Sequence, residues 1–221
     1  TSELVESIEL KGILKVTSNY DEGRRGQWRI IREYFPSTDQ PALVESYQII
    51  NTGKNELAIE LPQVNQKSMT DPKKGVTGSF CIETLTNKSG HFTLQPGESL
   101  TFGASLLAYK EGEKAPLIDV QKEKGQREAL VGELMNKLVL ETPDPIIDRM
   151  FAFSKIRGCE SIYETKGGPM HGPGGESYYA AIWANDQAEY VNPFFPFLGY
   201  GTGNESALNS FKHFARFMNE E

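Results

Sequence analysis

The stretch QPGESLTFGASLLAY, residues 95–109, decides the fold class. Pro and Gly at its start set a tight turn, and apolar residues then alternate with small or polar ones. The apolar set is Leu100, Phe102, Ala104 and Leu106, and the other set is Thr101, Gly103 and Ser105. Because side chains of a β-strand alternate between two faces, the stretch predicts a strand with its apolar set on a buried face.

The chain upstream repeats this pattern, with short apolar runs separated by turn residues such as Asn51-Thr52-Gly53. The runs recur about every ten residues without helical crossovers, which favours an antiparallel sandwich over a parallel sheet. The predicted strands are Ile8–Val16, Trp28–Phe35, Val44–Asn51, Leu57–Leu61, Gly78–Thr84 and Ser99–Tyr109. We therefore predict an antiparallel β-sandwich domain over residues 1–118.

After Pro116 the apolar period changes from 2 to 3.6, which predicts helices and loops only beyond Gln121. A first helix is expected from Gln121 to Leu140, within a helical linker over residues 119–141. Asp144-Pro145 is typical of the start of a second helix, because Asp caps the helix and Pro costs nothing at its first position. Its predicted inward stripe is Ile147, Met150, Phe151, Ser154, Gly158 and Ile162.

A last amphipathic helix is predicted near the end of the chain. Thr202 and Glu205 have the spacing of a capping box. The apolar face of this helix would be formed by Ala207, Leu208, Phe211, Phe214, Ala215 and Met218, and it needs a partner.

Composition narrows the function classes. A net charge of −7 disfavours nucleic acid as a partner, and no apolar run approaches the length of a membrane span. Cys81 and Cys159 are far apart in sequence and are predicted to be buried thiols, with a disulfide as the less favoured alternative. The three histidines are dispersed and show no metal-ligand spacing, so we predict no metal and no cofactor.

The stretch between the two last predicted helices carries the candidate site. Lys166–Glu176 is rich in Gly and Pro and is predicted to be an irregular loop, either a site rim or a plain connection. The segment that follows combines aromatic rings with carboxylates, as sugar recognition requires, although buried aromatic core residues have the same pattern. The candidate substrate-binding residues are Trp183, Asn185, Asp186, Glu189, Tyr190 and, in the loop, His171.

Trp183-Ala184-Asn185-Asp186 follows the Gly-rich loop and a Tyr-Tyr pair and precedes Pro-Phe-Phe, and it resembles the Trp-x-Arg-Asp segment of six-hairpin glycosidases. These enzymes include glucoamylases and glycogen-debranching glucosidases. The stretch TPDPIIDRMF, residues 142–151, also resembles the start of their first barrel helix, which commonly follows a β-sandwich. The resemblance in sequence covers residues 140–221. The predicted sandwich matches these enzymes only in its position ahead of the barrel.

The resemblance implies that residues 142–221 are the first helices of an incomplete (α/α)6 barrel. It gives Asp186 the role of binding sugar hydroxyls next to the scissile bond, while Asn185 stands where the family has Arg. Glu189, three residues from Asp186, would share its face of a helix and is a weak catalytic candidate. An acid and a base must flank the bond from opposite sides, so we expect the principal pair beyond residue 221.

Two functions follow from these expectations. The first is a glycoside hydrolase of oligo- or polysaccharides, periplasmic or extracellular in a bacterium, of which this chain is a fragment without activity of its own. The second is a non-catalytic carbohydrate-binding or structural β-sandwich module. In either case the exposed helical faces would be covered by the rest of a parent chain or by a self-associated copy.

Overall fold

The computed structural model describes residues 2–23, 26–74, 78–172 and 183–219. The chain divides into two compact units, residues 1–130 and 131–221. The described strands are β1 Ser2–Leu10, β2 Leu14–Asp21, β3 Gln27–Pro36, β4 Ala42–Asn51, β5 Leu57–Leu61, β6 Asn65–Met69, β7 Phe80–Thr86, β8 Gly90–Leu94, β9 Ser99–Lys110, β10 Ile162–Thr165 and β11 Gly168–His171. The described helices are α1 Val120–Asn136, α2 Pro145–Glu160, a π-helix Asp186–Val191, α3 Asn192–Leu198 and α4 Gly201–Ala215.

The first unit is a sandwich of two unequal antiparallel layers. Seven strands form one sheet in the order β1-β2-β3-β4-β9-β7-β6, and β5 and β8 form a two-stranded second layer. The second layer packs on one face of the large sheet through Leu57, Leu61 and Leu94, which meet Ile49 and Leu100. The predicted arrangement, a β-sandwich followed by helices, is confirmed.

The opposite face of the large sheet is also buried, and this corrects the prediction for β9. Gly103 and Leu107 are buried on that face, whereas Leu106 of the predicted core face is exposed. Val120 packs so closely on Gly103 that an added Cβ would lie 2.5 Å from a Val120 methyl group. The central strand β9 therefore has a packed layer on both sides.

The predicted strand Ile8–Val16 is wrong, because the chain turns in its middle. β1 ends at Leu10, β2 begins at Leu14, and the two pair antiparallel from Leu10↔Leu14 outward. Gly12 adopts a φ of +78°, which a residue without a Cβ reaches without strain. The other five predicted strands correspond to β3, β4, β5, β7 and β9, whereas β6 and β8 were not predicted.

The second unit also contains a β-hairpin, so the prediction of only helices and loops beyond Gln121 is wrong. β10 and β11 pair antiparallel with Thr165↔Gly168 next to the turn. Gly168 has a φ of +95°, and the Thr165 hydroxyl donates to the Gly168 carbonyl at 2.7 Å. The Gly-rich segment therefore forms a regular strand over its first part, against the prediction of an irregular loop.

The helices of the second unit begin close to the predicted places but bury other faces. Asp144 caps α2 as predicted, with its carboxylate accepting from the Ile146 amide at 2.8 Å. The buried residues of α2 are Lys155, Ile156 and Cys159, whereas Ile147, Met150 and Ser154 of the predicted inward stripe are exposed.

The last helix differs from its prediction in the same way. α4 starts at Gly201 after Tyr200, so Thr202 lies inside the helix and the predicted capping box is wrong. Its buried residues are Gly203, Ser206, Ala207 and Ser210, which are small. Its large apolar residues Leu208 and Phe211 are exposed, and so is Met218 beyond the end of the helix.

Both cysteines are free and buried, as predicted. Burial raises the pKa of the Cys159 thiol to about 12. Within the described ranges, the helices lack the length and apolarity needed to span a bilayer.

Candidate functional site

The second unit holds its hairpin, its π-helix, α3 and α4 together through polar contacts. Asn209 of α4 donates its Nδ2 to the carbonyls of Gly167 at 2.7 Å and Pro169 at 3.1 Å. At the start of α3, the Nδ2 of Asn192 donates to the Ser210 hydroxyl at 2.9 Å. These bonds fix β11 and the start of α3 against the last helix.

His171 lies at the end of β11 and is only 7% exposed. Its ring meets Phe195 edge-on at a centroid distance of 6.3 Å. Burial lowers the pKa of His171 below its usual 6.5, and the nearby Asp186 carboxylate opposes this shift in part. The imidazole is therefore neutral at pH 7, and in the described chain its buried Nδ1 has no hydrogen-bond partner.

Gln187 connects the π-helix to β11. It is 1% exposed, and its Nε2 donates to the His171 carbonyl at 2.6 Å. This buried bond sets the first turn of the π-helix against the end of the hairpin, and it places Asp186 near the His171 ring. Sequence reasoning missed Gln187, because nothing in its pattern separates it from the polar residues around it.

The π-helix bonds its backbone i→i+5, so the amide of Asn192 donates to the carbonyl of Gln187. Such helices are rare and are frequent at functional sites. They also contain more residues per turn than an α-helix, so side chains three apart point in more divergent directions. The assumption of an α-helix, from which Glu189 was placed on the face of Asp186, is therefore wrong.

Of the predicted site residues, the Asp186 carboxylate acts electrostatically on the His171 ring. Asp186 is half-buried, whereas Trp183 is 47% exposed and Tyr190 is 63% exposed. Asn185 and Glu189 are also exposed. Trp183 precedes the π-helix, and its carbonyl accepts from the Gln187 amide at 3.1 Å. The roles assigned to these six residues stay predictions.

Several buried polar atoms of this unit have no hydrogen-bond partner in the part of the chain that the structure describes. They are His171 Nδ1, Gln187 Oε1, Asn192 Oδ1, Asn204 Oδ1 and Ser206 Oγ. Buried polar atoms are rarely left unpaired in folded proteins, so these atoms are available to water or to a polar ligand.

Part of the predicted site lies outside the described residues, namely residues 173–176 of the Gly-rich loop and the pair Tyr178-Tyr179. In the described chain, His, Cys, Asp and Glu side chains form no group of three or more that could hold a metal ion.

An apolar cavity of about 330 Å³ lies elsewhere in the second unit, between the hairpin and the end of α4. Met170, His213, Phe214 and Phe217 are among the residues that line it, and none of the predicted site residues does. The cavity and the predicted site are therefore different places.

The comparisons with known proteins bear on the fold. No protein-family model matches the chain, and no curated protein matches its sequence. A solved structure, "Putative kojibiose phosphorylase from human microbiome", is similar with a TM-score of 0.57 at 9% sequence identity. The likeness is one of fold. It covers 84% of this chain and 32% of that chain, so this chain spans about a third of the length of the solved structure.

Proposed function

We propose that this chain is part of a carbohydrate-active enzyme that cleaves glycosidic bonds, with Asp186 and Trp183 in a sugar-binding subsite. The observation that carries the proposal is the fold likeness to a protein described as a kojibiose phosphorylase, since kojibiose is a sugar. The Trp183-to-Asp186 segment, which resembles that of six-hairpin glycosidases, adds the site residues.

The chemistry around Asp186 suits sugar hydroxyls. A half-buried carboxylate accepts hydrogen bonds from two vicinal hydroxyls, and each bond to a charged group contributes about 1.5–3 kcal/mol. The neutral His171 has a ring nitrogen without a partner among the described residues, and this atom suits a further polar contact. The exposed part of the Trp183 ring provides a surface on which the apolar face of a sugar stacks.

We expect the catalytic acid and its partner group to lie outside this site. Glycosidic bond cleavage by hydrolysis needs two groups on opposite sides of the bond, and the predicted site offers Asp186 and Glu189 on one short helix. The exposed apolar residues of α2 and α4 would then be covered by further helices of a longer parent protein, in which the barrel is complete.

The test uses the product of the complete open reading frame, assayed on a panel of disaccharides and oligosaccharides with and without inorganic phosphate. Phosphorolysis requires phosphate and hydrolysis does not, so the two reactions are separated directly. Asp186→Asn should lower kcat/KM about 10-fold or more with little change in Tm, whereas Glu56→Gln, an exposed acid of the first unit, should change neither. Unchanged activity with a large fall in Tm for Asp186→Asn would make the carboxylate a structural anchor and end the sugar-site proposal.

A further inference from the structure

The sandwich of the first unit contains a cavity of about 300 Å³, a volume at the lower end of the range for small-molecule sites. It lies between the end of β2, the start of β3 and the short second layer. Its lining residues are Glu22, Trp28, Ile49, Leu57, Ala58 and Ile59. Ile49 and Leu57 are buried, Glu22 is half-buried and Ala58 is exposed, so the cavity reaches from the core to the surface.

Trp28 gives the cavity an aromatic wall that is held in place. Its ring stacks on Tyr20, which lies directly opposite in the register of β2 and β3, with a centroid distance of 5.3 Å and an interplanar angle of 7°. Paired rings on neighbouring strands lose little freedom when a ligand binds. Such a preorganised ring is the feature on which the apolar face of a sugar packs.

Glu22 adds a carboxylate to the lining of the cavity. Its neighbour Asp21 is occupied, because the Asp21 carboxylate accepts from the Gly23 amide and from the Gln27 side chain, both at 2.8 Å. The side chain of Glu22 makes no hydrogen bond or ion pair within the described chain, and only its backbone amide is bonded, to the Gly26 carbonyl at 3.0 Å. A half-buried carboxylate can accept hydrogen bonds from the hydroxyl groups of a ligand.

β5 contributes lining residues to the same cavity. It pairs only with β8 among the described strands, so alternate residues along its other edge present N–H and C=O groups without a strand partner. Ala58 and Ile59 of this strand line the cavity. An aromatic ring and a carboxylate around one small cavity suit a ligand with an apolar face and a hydroxylated rim.

We infer that this cavity binds a neutral sugar, as a second carbohydrate site separate from the one proposed at Asp186. An anionic glycan is disfavoured by Glu22 and by the net charge of −7. A purely apolar ligand is disfavoured because it would cover the Glu22 carboxylate without giving it a hydrogen bond. The inference concerns the first unit and stands independently of the proposed function.

The two tryptophans of the chain, Trp28 and Trp183, allow the two sites to be observed separately. In a Trp183→Phe variant, all tryptophan emission comes from Trp28, and in a Trp28→Phe variant it comes from Trp183. We expect maltoheptaose or cellohexaose to change the emission of the Trp183→Phe protein saturably. Failure of the Asp186 site would show only in the Trp28→Phe protein, so the two proposals fail distinguishably.

The carboxylate provides the second part of the test, because replacing a surface-reaching Glu with Gln leaves the packing of Trp28 intact. In the Trp183→Phe background, Glu22→Gln should weaken sugar binding about 10-fold or more. Glu60→Gln, which makes the same charge change on β5 at an exposed position outside the lining, should leave it unchanged. Dodecanoate serves as the apolar probe in the same assay. The inference is overturned if neither sugar changes the Trp28 emission, if Glu22→Gln binds sugar as tightly as its parent, or if dodecanoate alone gives a response.

Discussion

At the level of single residues, His171 and Asp186 show how burial and a neighbouring charge act on one group. Burial favours the neutral imidazole and the carboxylate favours the charged one, and burial dominates. The folded protein therefore resists protonating His171 at a pH where the unfolded chain accepts the proton. The free energy of unfolding therefore depends on pH through this histidine.

As the pH falls below about 6.5, the unfolded state binds more protons than the folded state, so stability falls with pH. We expect His171→Gln to reduce this acid-side loss in the free energy of unfolding, measured by urea unfolding between about pH 7.5 and pH 5.5. His91→Gln, at an exposed position on β8, is the control and should keep the full loss. An identical pH profile for His171→Gln and the parent would contradict the assignment.

At the level of elements, a buried lysine of α2 donates hydrogen bonds to backbone carbonyls at the end of α1. Lys155 is 1% exposed, and its Nζ donates to the carbonyls of Lys137 at 2.6 Å and Met135 at 3.0 Å. Burial lowers the pKa of Lys155. The amine satisfies carbonyls that the end of a helix leaves without intrahelical partners.

Lys155→Met keeps the length of the side chain and removes the donor. Because buried carbonyls would then lose their partner, we expect the free energy of unfolding to fall by about 1–3 kcal/mol. Lys212→Met, at an exposed position on α4, should change it by less than about 0.5 kcal/mol. Chemical denaturation at neutral pH measures both, and equal stabilities would show that the amine contributes nothing net.

The elements also show which features the sequence determines locally. Leu57–Leu61 was predicted with the bounds of β5, because turn residues flank a short apolar run. The hairpin at Gly12 was missed, since Lys-Gly-Ile carries no strong turn signal and the apolar run continues through it. β6 has no buried residue, so its polar sequence gave no alternation to detect.

The candidate site was predictable in composition but not in geometry. An aromatic segment with carboxylates indicated Trp183 and Asp186, and the Gly-rich stretch indicated His171. The proximity of Asp186 to His171 depends on the π-helix and on the Gln187 bond to β11, and both arise from tertiary packing rather than from local propensity. The buried role of Lys155 was missed for the same reason.

At the level of the whole molecule, β1 is an edge strand of the large sheet with exposed apolar side chains. Leu4, Val5, Ile8 and Leu10 are exposed. Glu3 precedes them, and Glu6 and Glu9 lie between them in sequence. Glu6 is paired with Arg29 at 3.0 Å, and Glu3 is paired with Arg32. Charges on an edge strand hinder the pairing of edges between molecules.

We expect Glu9→Gln to increase self-association, because it removes an edge charge next to Ile8 and Leu10. Sedimentation velocity at low salt over a range of protein concentrations should show a larger oligomer fraction than for the parent. Glu56→Gln, also exposed but outside the large sheet, changes the net charge equally and should have no such effect. Equal association of the two variants would mean that net charge, rather than the edge, controls it.

The π-helix holds one more residue per hydrogen-bonded turn than an α-helix, so the direction of its side chains depends on the number of residues between Asp186 and Asn192. Loss of one residue within this segment would leave a helix with ordinary i→i+4 bonds, so helical content would survive. Every side chain before the deletion would nevertheless be rotated by about 100° relative to α3, which is the turn per residue of an α-helix. Substitutions in the segment alter what its side chains are, but a deletion of one codon would alter where they point, and Asp186 would turn away from His171.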